Sequence, residues 1–266
     1  MSLLSKTVAK VRSGVFHVMF LDASGNRLGS GTAFTSRGCL VTNGHVFDVP
    51  RNSSHVWLRR DEHVNSTQGV CLTAQDFRGR RIVASPQEEY DYAVLDVPEL
   101  RVFNPHQFEF SDHTKTSVGQ SVAFLGYPLE HLNLTCHAGV ISSLHTKASV
   151  NVIQVDASVN PSNSGGPLFL PDAGKVIGIV TRRATGLTDH FAFLRSAILK
   201  NIATFDGMHE FMSVGSFSMK QALSANQAAI LQTLDQIERS ANVGIGYAFS
   251  CKHLLEEADF IARTAG

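Results

Sequence analysis

Three short stretches carry the residue types that acyl-transfer chemistry needs. The first is Asn163-Ser164-Gly165-Gly166-Pro167-Leu168. A serine nucleophile must expose its oxygen on a tight turn, close to backbone N–H groups that can hold a developing oxyanion. The small residues beside Ser164 allow that close backbone approach. The second stretch, Leu40-Val41-Thr42-Asn43-Gly44-His45-Val46, puts a histidine just past an apolar strand, where a loop would start. The third, Tyr90-Asp91-Tyr92-Ala93-Val94-Leu95, puts an aspartate at the mouth of another strand. Singly, each has a plainer reading: a turn, a surface or core histidine, a capping aspartate. Together they suit nucleophilic hydrolysis. Ser164 is too weak an acid to attack a carbonyl unaided. His45 would take its proton and later give it to the leaving amine. Asp91 would fix the imidazole tautomer and stabilise the imidazolium.

The elements around these residues read mostly as short strands. Residues 2–12 suit a short helix, with Leu3, Leu4, Val8 and Val11 on one side. Strand patterns follow at 15–21, 31–35, 39–42, 55–58, 70–77, 81–84 and 92–97, with a hairpin signal at Asp22-Ala-Ser-Gly-Asn26. A polar, Pro-containing stretch leads to a second series at 121–125, 136–144, 150–155, 168–170 and 176–181. Evenly spaced short strands with Gly and Pro punctuation suggest barrels or sandwiches, and two joined series suggest two small barrels. His45 and Asp91 fall in the first series and Ser164 in the second, so a site would form at their seam. Residues 182–241 break the pattern. Phe191, Leu194, Ile198, Ile202 and Phe205 recur at helical spacing, as do Leu223, Ile230, Leu234 and Ile237. A strand returns at 243–249, and Ser250 suits the N-cap of a last helix.

With these motifs in hand, the chain resembles a chymotrypsin-fold, trypsin-like serine protease, nearest to the Deg/HtrA branch. The order His45, Asp91, Ser164 is that of the chymotrypsin arrangement. Gly29-Ser-Gly-Thr-Ala-Phe34 is similar to the strand that precedes the catalytic histidine. Val122-Ala-Phe-Leu-Gly-Tyr-Pro128 and Gly139-Val-Ile-Ser142 are similar to second-barrel strands. Asp156-Ala-Ser-Val-Asn-Pro161 is similar to the lead-in to the serine, and Val176-Ile-Gly-Ile179 and Gly244-Ile-Gly-Tyr-Ala-Phe249 to the strands flanking the substrate pocket. The resemblance implies a mainly β fold of two six-stranded antiparallel β-barrels with a helical insertion and a C-terminal helix. The expected division is an N-terminal helix (1–14), a first barrel (15–100), a linker (101–118), a second barrel (119–181 and 242–250), the insertion (182–241) and the last helix (251–266). No room is left after that helix for a PDZ domain.

The resemblance also implies finer site residues. The backbone N–H groups of Ser162 and Ser164 would form the oxyanion hole. The family mostly has glycine at the position of Ser162, and a side chain there penalises backbone conformations that glycine tolerates. Ser158 would lie near the base of the substrate pocket, with Ile179, Val180, Thr181 and Gly246 around it. Trypsins carry Asp at the position of Ser158, so a small to medium apolar residue is expected before the cut bond. Arg182 and Arg183 would favour an acidic substrate residue or serve as solvated loop charges. The expected partner is a peptide or protein substrate, with the paired insertion helices offering a surface for a homo-oligomer. The rival reading is a protease-fold binding or scaffold protein using the same insertion.

Composition excludes other classes. Of the 266 residues, 43% are hydrophobic and 17% charged, and 23 Lys and Arg balance 23 Asp and Glu. Zero net charge argues against nucleic acid or an anionic membrane as partner. Apolar runs reach about five residues, where a transmembrane helix needs about 20. The start lacks a basic head and a long apolar stretch, so no secretory signal is read. The four cysteines have no C-x-x-C spacing and the histidines no ligand cluster, so no metal or cofactor is expected. A reducing, cytoplasmic compartment is the corresponding expectation.

Overall fold

The computed structural model describes residues 1–60, 69–87, 89–111, 113–147, 149–183, 188–207, 213–214, 217–240 and 244–262. They form two compact units, Met1–Arg183 with Gly244–Gly266, and Ala184–Val243. The first unit starts with α1 (Leu3–Val11), capped by Ser2, whose Oγ accepts the Ser5 N–H at 3.2 Å. Next come β1 (Val15–Leu21) and β2 (Arg27–Ser36), a hairpin closed by Asp22. Its carboxylate accepts from the N–H groups of Ser24 and Asn26, each at 2.8 Å. Then follow β3 (Cys39–Thr42), the one-turn helix α2 (Gly44–Phe47), β4 (His55–Arg60), β5 (Gly69–Thr73), α3 (Ala74–Gly79), β6 (Arg81–Ser85) and β7 (Tyr92–Leu95). The second half holds β8 (Ser121–Gly126), β9 (Thr135–Lys147), β10 (Val150–Asp156), β11 (Pro167–Phe169) and β12 (Val176–Arg183).

The other unit contains α4 (Thr188–Gly207), a small hairpin of β13 (Ser213–Val214) and β14 (Phe217–Ser218), and α5 (Met219–Ser240). The chain then returns to the first unit with β15 (Ile245–Ser250), α6 (Lys252–Glu256) and α7 (Ala258–Ala262).

The expected mainly β, double-barrel architecture is present. Its second half is a closed six-stranded barrel, β10-β15-β12-β11-β8-β9. Its first half is a seven-stranded sheet in the order β5-β4-β1-β2-β3-β7-β6. Period-two alternation sorts the core. Phe16, Val18 and Phe20 of β1 fill the first sheet, whereas Val15 turns to the seam, where Phe34, Val41 and Val94 meet Leu125, Tyr127, Phe169 and Val176. The barrel interior is packed by Val122, Phe124, Ile153, Leu168 and Ile177.

Three local expectations are corrected. The strand pattern at 70–77 ends at Thr73, because Thr73 Oγ1 accepts the Asp76 N–H at 3.0 Å and starts α3 instead. The N-cap of α6 is Cys251, although Ser250 Oγ accepts the Lys252 N–H at 3.1 Å. The last helix is two helices, divided where Glu257 is extended. In the insertion the helices do pair, with Ile198 and Leu234 buried and Ile202 and Leu231 beside them. However, Leu194, Ile230 and Ile237 of the expected buried stripes are exposed, and the side chain of Phe191 lies outside the described residues.

Candidate active site

His45 sits in the single turn of α2, directly after β3. Gly44 makes that turn possible, since a Cβ there would lie 2.3 Å from the Ser85 carbonyl oxygen. The imidazole Nδ1 is 3.0 Å from both Asp91 carboxylate oxygens, and the His45 backbone N–H donates to Asp91 Oδ1, also at 3.0 Å. A carboxylate only accepts, so Nδ1 carries the proton and Nε2 is left as a base. Asp91 is fully buried and has φ of +49°. That left-handed backbone is costly outside glycine, although aspartate visits it more readily than most residues. Asn43 Nδ2 donates to the Asp91 carbonyl at 2.8 Å, and the Asp91 N–H donates to the Pro86 carbonyl at 3.0 Å. Thr181 Oγ1 donates to Asp91 Oδ2 at 2.5 Å. The flanking tyrosines are anchored by the C-terminal segment. Tyr90 stacks on His253 with ring centroids 3.7 Å apart, and the Tyr92 hydroxyl donates to Glu257. Burial and the Glu257 carboxylate hold the Tyr92 phenol well above its usual range.

Ser164 lies on the turn between β10 and β11, pressed against β2. The Thr32 N–H donates to the Ser164 carbonyl at 2.8 Å, and Thr42 Oγ1 donates to the Thr32 carbonyl at 2.7 Å. A Cβ on Gly165, whose φ is +88°, would lie 2.0 Å from the Thr32 carbonyl oxygen, so that position must be glycine. Ser164 Oγ donates to the Thr181 carbonyl at 2.9 Å. Among the described residues it makes no hydrogen bond to His45. Thr181 therefore touches both Asp91, through its hydroxyl, and Ser164, through its carbonyl.

The turn ahead of Ser164 is held on three sides. The Leu129 N–H donates to the Pro161 carbonyl at 3.0 Å. Thr32 Oγ1 donates to the Ser162 carbonyl at 2.7 Å, and the hydroxyls of Ser30 and Ser162 share a hydrogen bond of 2.7 Å. Ser162 has φ of +73°, so it occupies the left-handed region that its side chain was expected to penalise. Among the described residues, no acceptor meets the N–H of Ser162 or of Ser164. Asn163 is buried between them, with its Nδ2 3.5 Å from His137 Nε2. Burial holds the His137 imidazole below its ordinary pKa.

The structure brings His45, Asp91, Ser164 and Ser162 together. The expected pocket residues fare differently. Ser158 is exposed beside the buried Val159, and a Cβ on Gly246 would lie 2.3 Å from Val159 Cγ2. Ile179 instead packs into the seam core and Val180 into the barrel core, because inward positions alternate along β12. Thr181 reaches Asp91. The side chains of Arg182 and Arg183 lie outside the described residues. Sequence reasoning missed Ser30, Thr32 and Asn43. The signal for the first two was their spacing of two on one strand, which puts both hydroxyls on one face. Among the described residues, no three His, Cys, Asp or Glu side chains gather as a metal site.

Comparisons with known proteins bear on the family and the fold. A family model described as a trypsin-like peptidase domain matches residues 29–179. A probable periplasmic serine endoprotease DegP-like of Bartonella henselae is 36% identical over 58% of the chain, and the serine protease Do-like HtrA of Bacillus subtilis is 33% identical over 57%. The matches cover 27% and 32% of those proteins' own lengths, so the chain spans about a third of the relatives it matches. A solved structure of the HtrA-type protease AlgW with a tripeptide superposes with a TM-score of 0.58 at 19% identity, covering 96% of this chain and 62% of that one. That likeness bears on the fold alone. The expectation of a cytoplasmic protein is corrected: DegP-like relatives of the chain are named as periplasmic.

Proposed function

We propose that this chain, which belongs to the trypsin-like peptidase domain family, is a serine endopeptidase that cleaves peptide bonds through an acyl-enzyme on Ser164. The observation that carries this reading is the linked set His45–Asp91–Thr181–Ser164, in which one imidazole nitrogen is tied to a buried carboxylate. Ser164 Oγ must first turn from the Thr181 carbonyl to His45 Nε2, and catalytic hydrogen bonds are commonly unformed without substrate. Oγ then bonds to the scissile carbonyl carbon while its proton passes to Nε2. The C–O electron pair moves onto oxygen, beside the N–H groups of Ser162 and Ser164. Each such donor is worth about 3–4 kcal/mol to the transition state. Collapse breaks the C–N bond as Nε2 protonates the leaving amine. A water then gives a proton to Nε2 as its oxygen bonds to the ester carbon, and Nε2 passes that proton to Ser164 Oγ as the C–O bond to it breaks, releasing the acid product.

A binding or scaffold role drew its support from an unfit Ser162. The φ of +73° at that residue favours the enzyme reading instead. Ser158, at a position where trypsins carry Asp, supports a preference for small to medium apolar residues before the cut bond. Peptide or protein substrates are the partners this reading implies. The exposed Phe193, Leu199, Ile230 and Ile237 support self-association through the helical unit, which light scattering would test. The function itself is tested with a fluorophosphonate probe and labelled casein on wild type and Ser164→Ala. Labelling and cleavage that both vanish in Ser164→Ala are expected. Cleavage that persists in the variant overturns the reading.

A further inference from the structure

The residue before Asn163-Ser164 is a serine held in a conformation that suits glycine. Left-handed φ brings the Cβ of an L-residue against its own backbone, so a serine left to itself favours other regions. Yet Ser162 keeps φ of +73°, and its side chain is half-buried with one partner, the Ser30 hydroxyl at 2.7 Å. Ser30 is no mobile loop residue. It lies in β2, paired with Met19 of β1. Two residues on, Thr32 grips the Ser162 carbonyl, and Leu129 grips the Pro161 carbonyl. A trans peptide points its N–H opposite to its C=O. With the Pro161 carbonyl turned to Leu129, the Ser162 N–H faces away from Leu129. With the peptide before Ser162 pinned at its carbonyl by Leu129, any remaining rotation about the Ser162 N–Cα bond would swing its Cβ and break the bond to Ser30.

We propose that Ser30 is a positioning residue for the oxyanion hole: its hydroxyl locks Ser162 in the left-handed conformation that presents the Ser162 N–H to substrate. This rests on the hydrolase reading and adds to it. The serine pair does by hydrogen bonding what a glycine would do by conformational freedom. The lock acts on the transition state, so its loss lowers kcat and leaves KM almost unchanged.

The test is a set of variants assayed on a p-nitrophenyl ester, with thermal unfolding to verify that each is folded. Ser30→Ala is expected to lower kcat about three- to tenfold with KM within about twofold. Ser162→Ala, which keeps the Cβ but loses the hydroxyl, is expected to give the same loss, and the double variant no more than either single one. Ser30→Thr keeps a hydroxyl and is expected to retain most of the rate. In a Ser162→Gly background, Ser30→Ala is expected to change kcat less than about twofold, since glycine needs no lock. Should Ser30→Ala not fold, Ser162→Ala reads the same bond from its other end. Unchanged kcat in Ser30→Ala or in Ser162→Ala overturns the proposal. So do losses that multiply in the double variant, or an equal Ser30→Ala loss beside Ser162→Gly. Hydrolysis that Ser164→Ala abolishes but Ser30→Ala spares strikes the lock alone. Hydrolysis that survives Ser164→Ala strikes the enzyme reading beneath it.

Discussion

His17 gives the sharpest stability prediction. It is fully buried on β1, stacked on Tyr127 with ring centroids 4.6 Å apart, and neither ring nitrogen has a partner among the described residues. Burial, then the charges of Arg27 and Arg59, lower its pKa from 6.5 to about 3. Between those values the unfolded chain binds a proton that the native state refuses. Stability from this group is therefore intact above about pH 6.5 and drains away as the pH falls towards about 3. At roughly 1.4 kcal/mol per unit, acidification from about pH 7.5 to 4.5 costs on the order of 3 kcal/mol through His17 alone. His17→Phe keeps a ring on Tyr127 and removes the titration. His106 and His137 are also held low by burial, but they titrate in both proteins and cancel in the difference. The assay is urea unfolding followed by the single tryptophan, Trp57 on β4, in a Ser164→Ala background that prevents self-digestion. Wild type is expected to lose on the order of 3 kcal/mol more than His17→Phe over that range. Equal acid losses in the two proteins would refute the reasoning.

Other expectations follow from the site. Ser164→Ala and His45→Ala should each reduce casein cleavage by about four orders of magnitude or more, with unchanged circular dichroism; wild-type rates in either would sink the mechanism. Thr181→Val strips one hydrogen bond from a buried carboxylate and should lower urea stability by about 1.5–3 kcal/mol at neutral pH. Gly165→Ala must displace the Thr32 carbonyl, 2.0 Å from the new Cβ, and should abolish fluorophosphonate labelling. Replacing 185–240 by a Gly-Ser linker should leave labelling intact, because His45, Asp91 and Ser164 all lie in the other compact unit. It should alter peptide selectivity or the mass in solution, and a folded variant unchanged in both would end the assigned role of the insertion.

Much of this was legible in the sequence because it is local. Short apolar runs split by turn residues marked β1, β3, β8 and β10, and the His45 and Asp91 motifs each sit beside a β-strand. What escaped was settled by contacts far apart along the chain or by single caps. A threonine three residues before an aspartate outweighed apolar continuity at 70–77. The apolar stripes of the insertion suggested full burial, but two helices packed on each other cover only one side, so Leu194 and Ile230 stay wet. Along β12, the pocket residues were implied by the family resemblance, whereas the pleat turns Ile179 and Val180 into opposite cores. Compartment is not a property of the fold, and relatives corrected it.

The seam explains why the first sheet does more than carry His45 and Asp91. Thr32 uses nearly every polar atom it has on the nucleophile turn or its supports. Its N–H holds the Ser164 carbonyl, its hydroxyl holds the Ser162 carbonyl and accepts the Tyr127 N–H at 3.3 Å, and its own carbonyl is held by Thr42. Gly165 lies so close that no Cβ fits. Thr42 is the last residue of β3, and three residues later the same chain places His45. His45 and Ser164 are thus referred to one pair of strands, β2 and β3, although Ser164 belongs to the other barrel. Thr181 closes the circuit from the barrel side by contacting Asp91 and Ser164. A shift between the two halves would therefore have to break several buried hydrogen bonds at once, each costly to leave unmade. This is a physical reason for these residues to sit at the seam: the hydrogen bonds that join the halves are also the ones that position His45, Asp91 and Ser164.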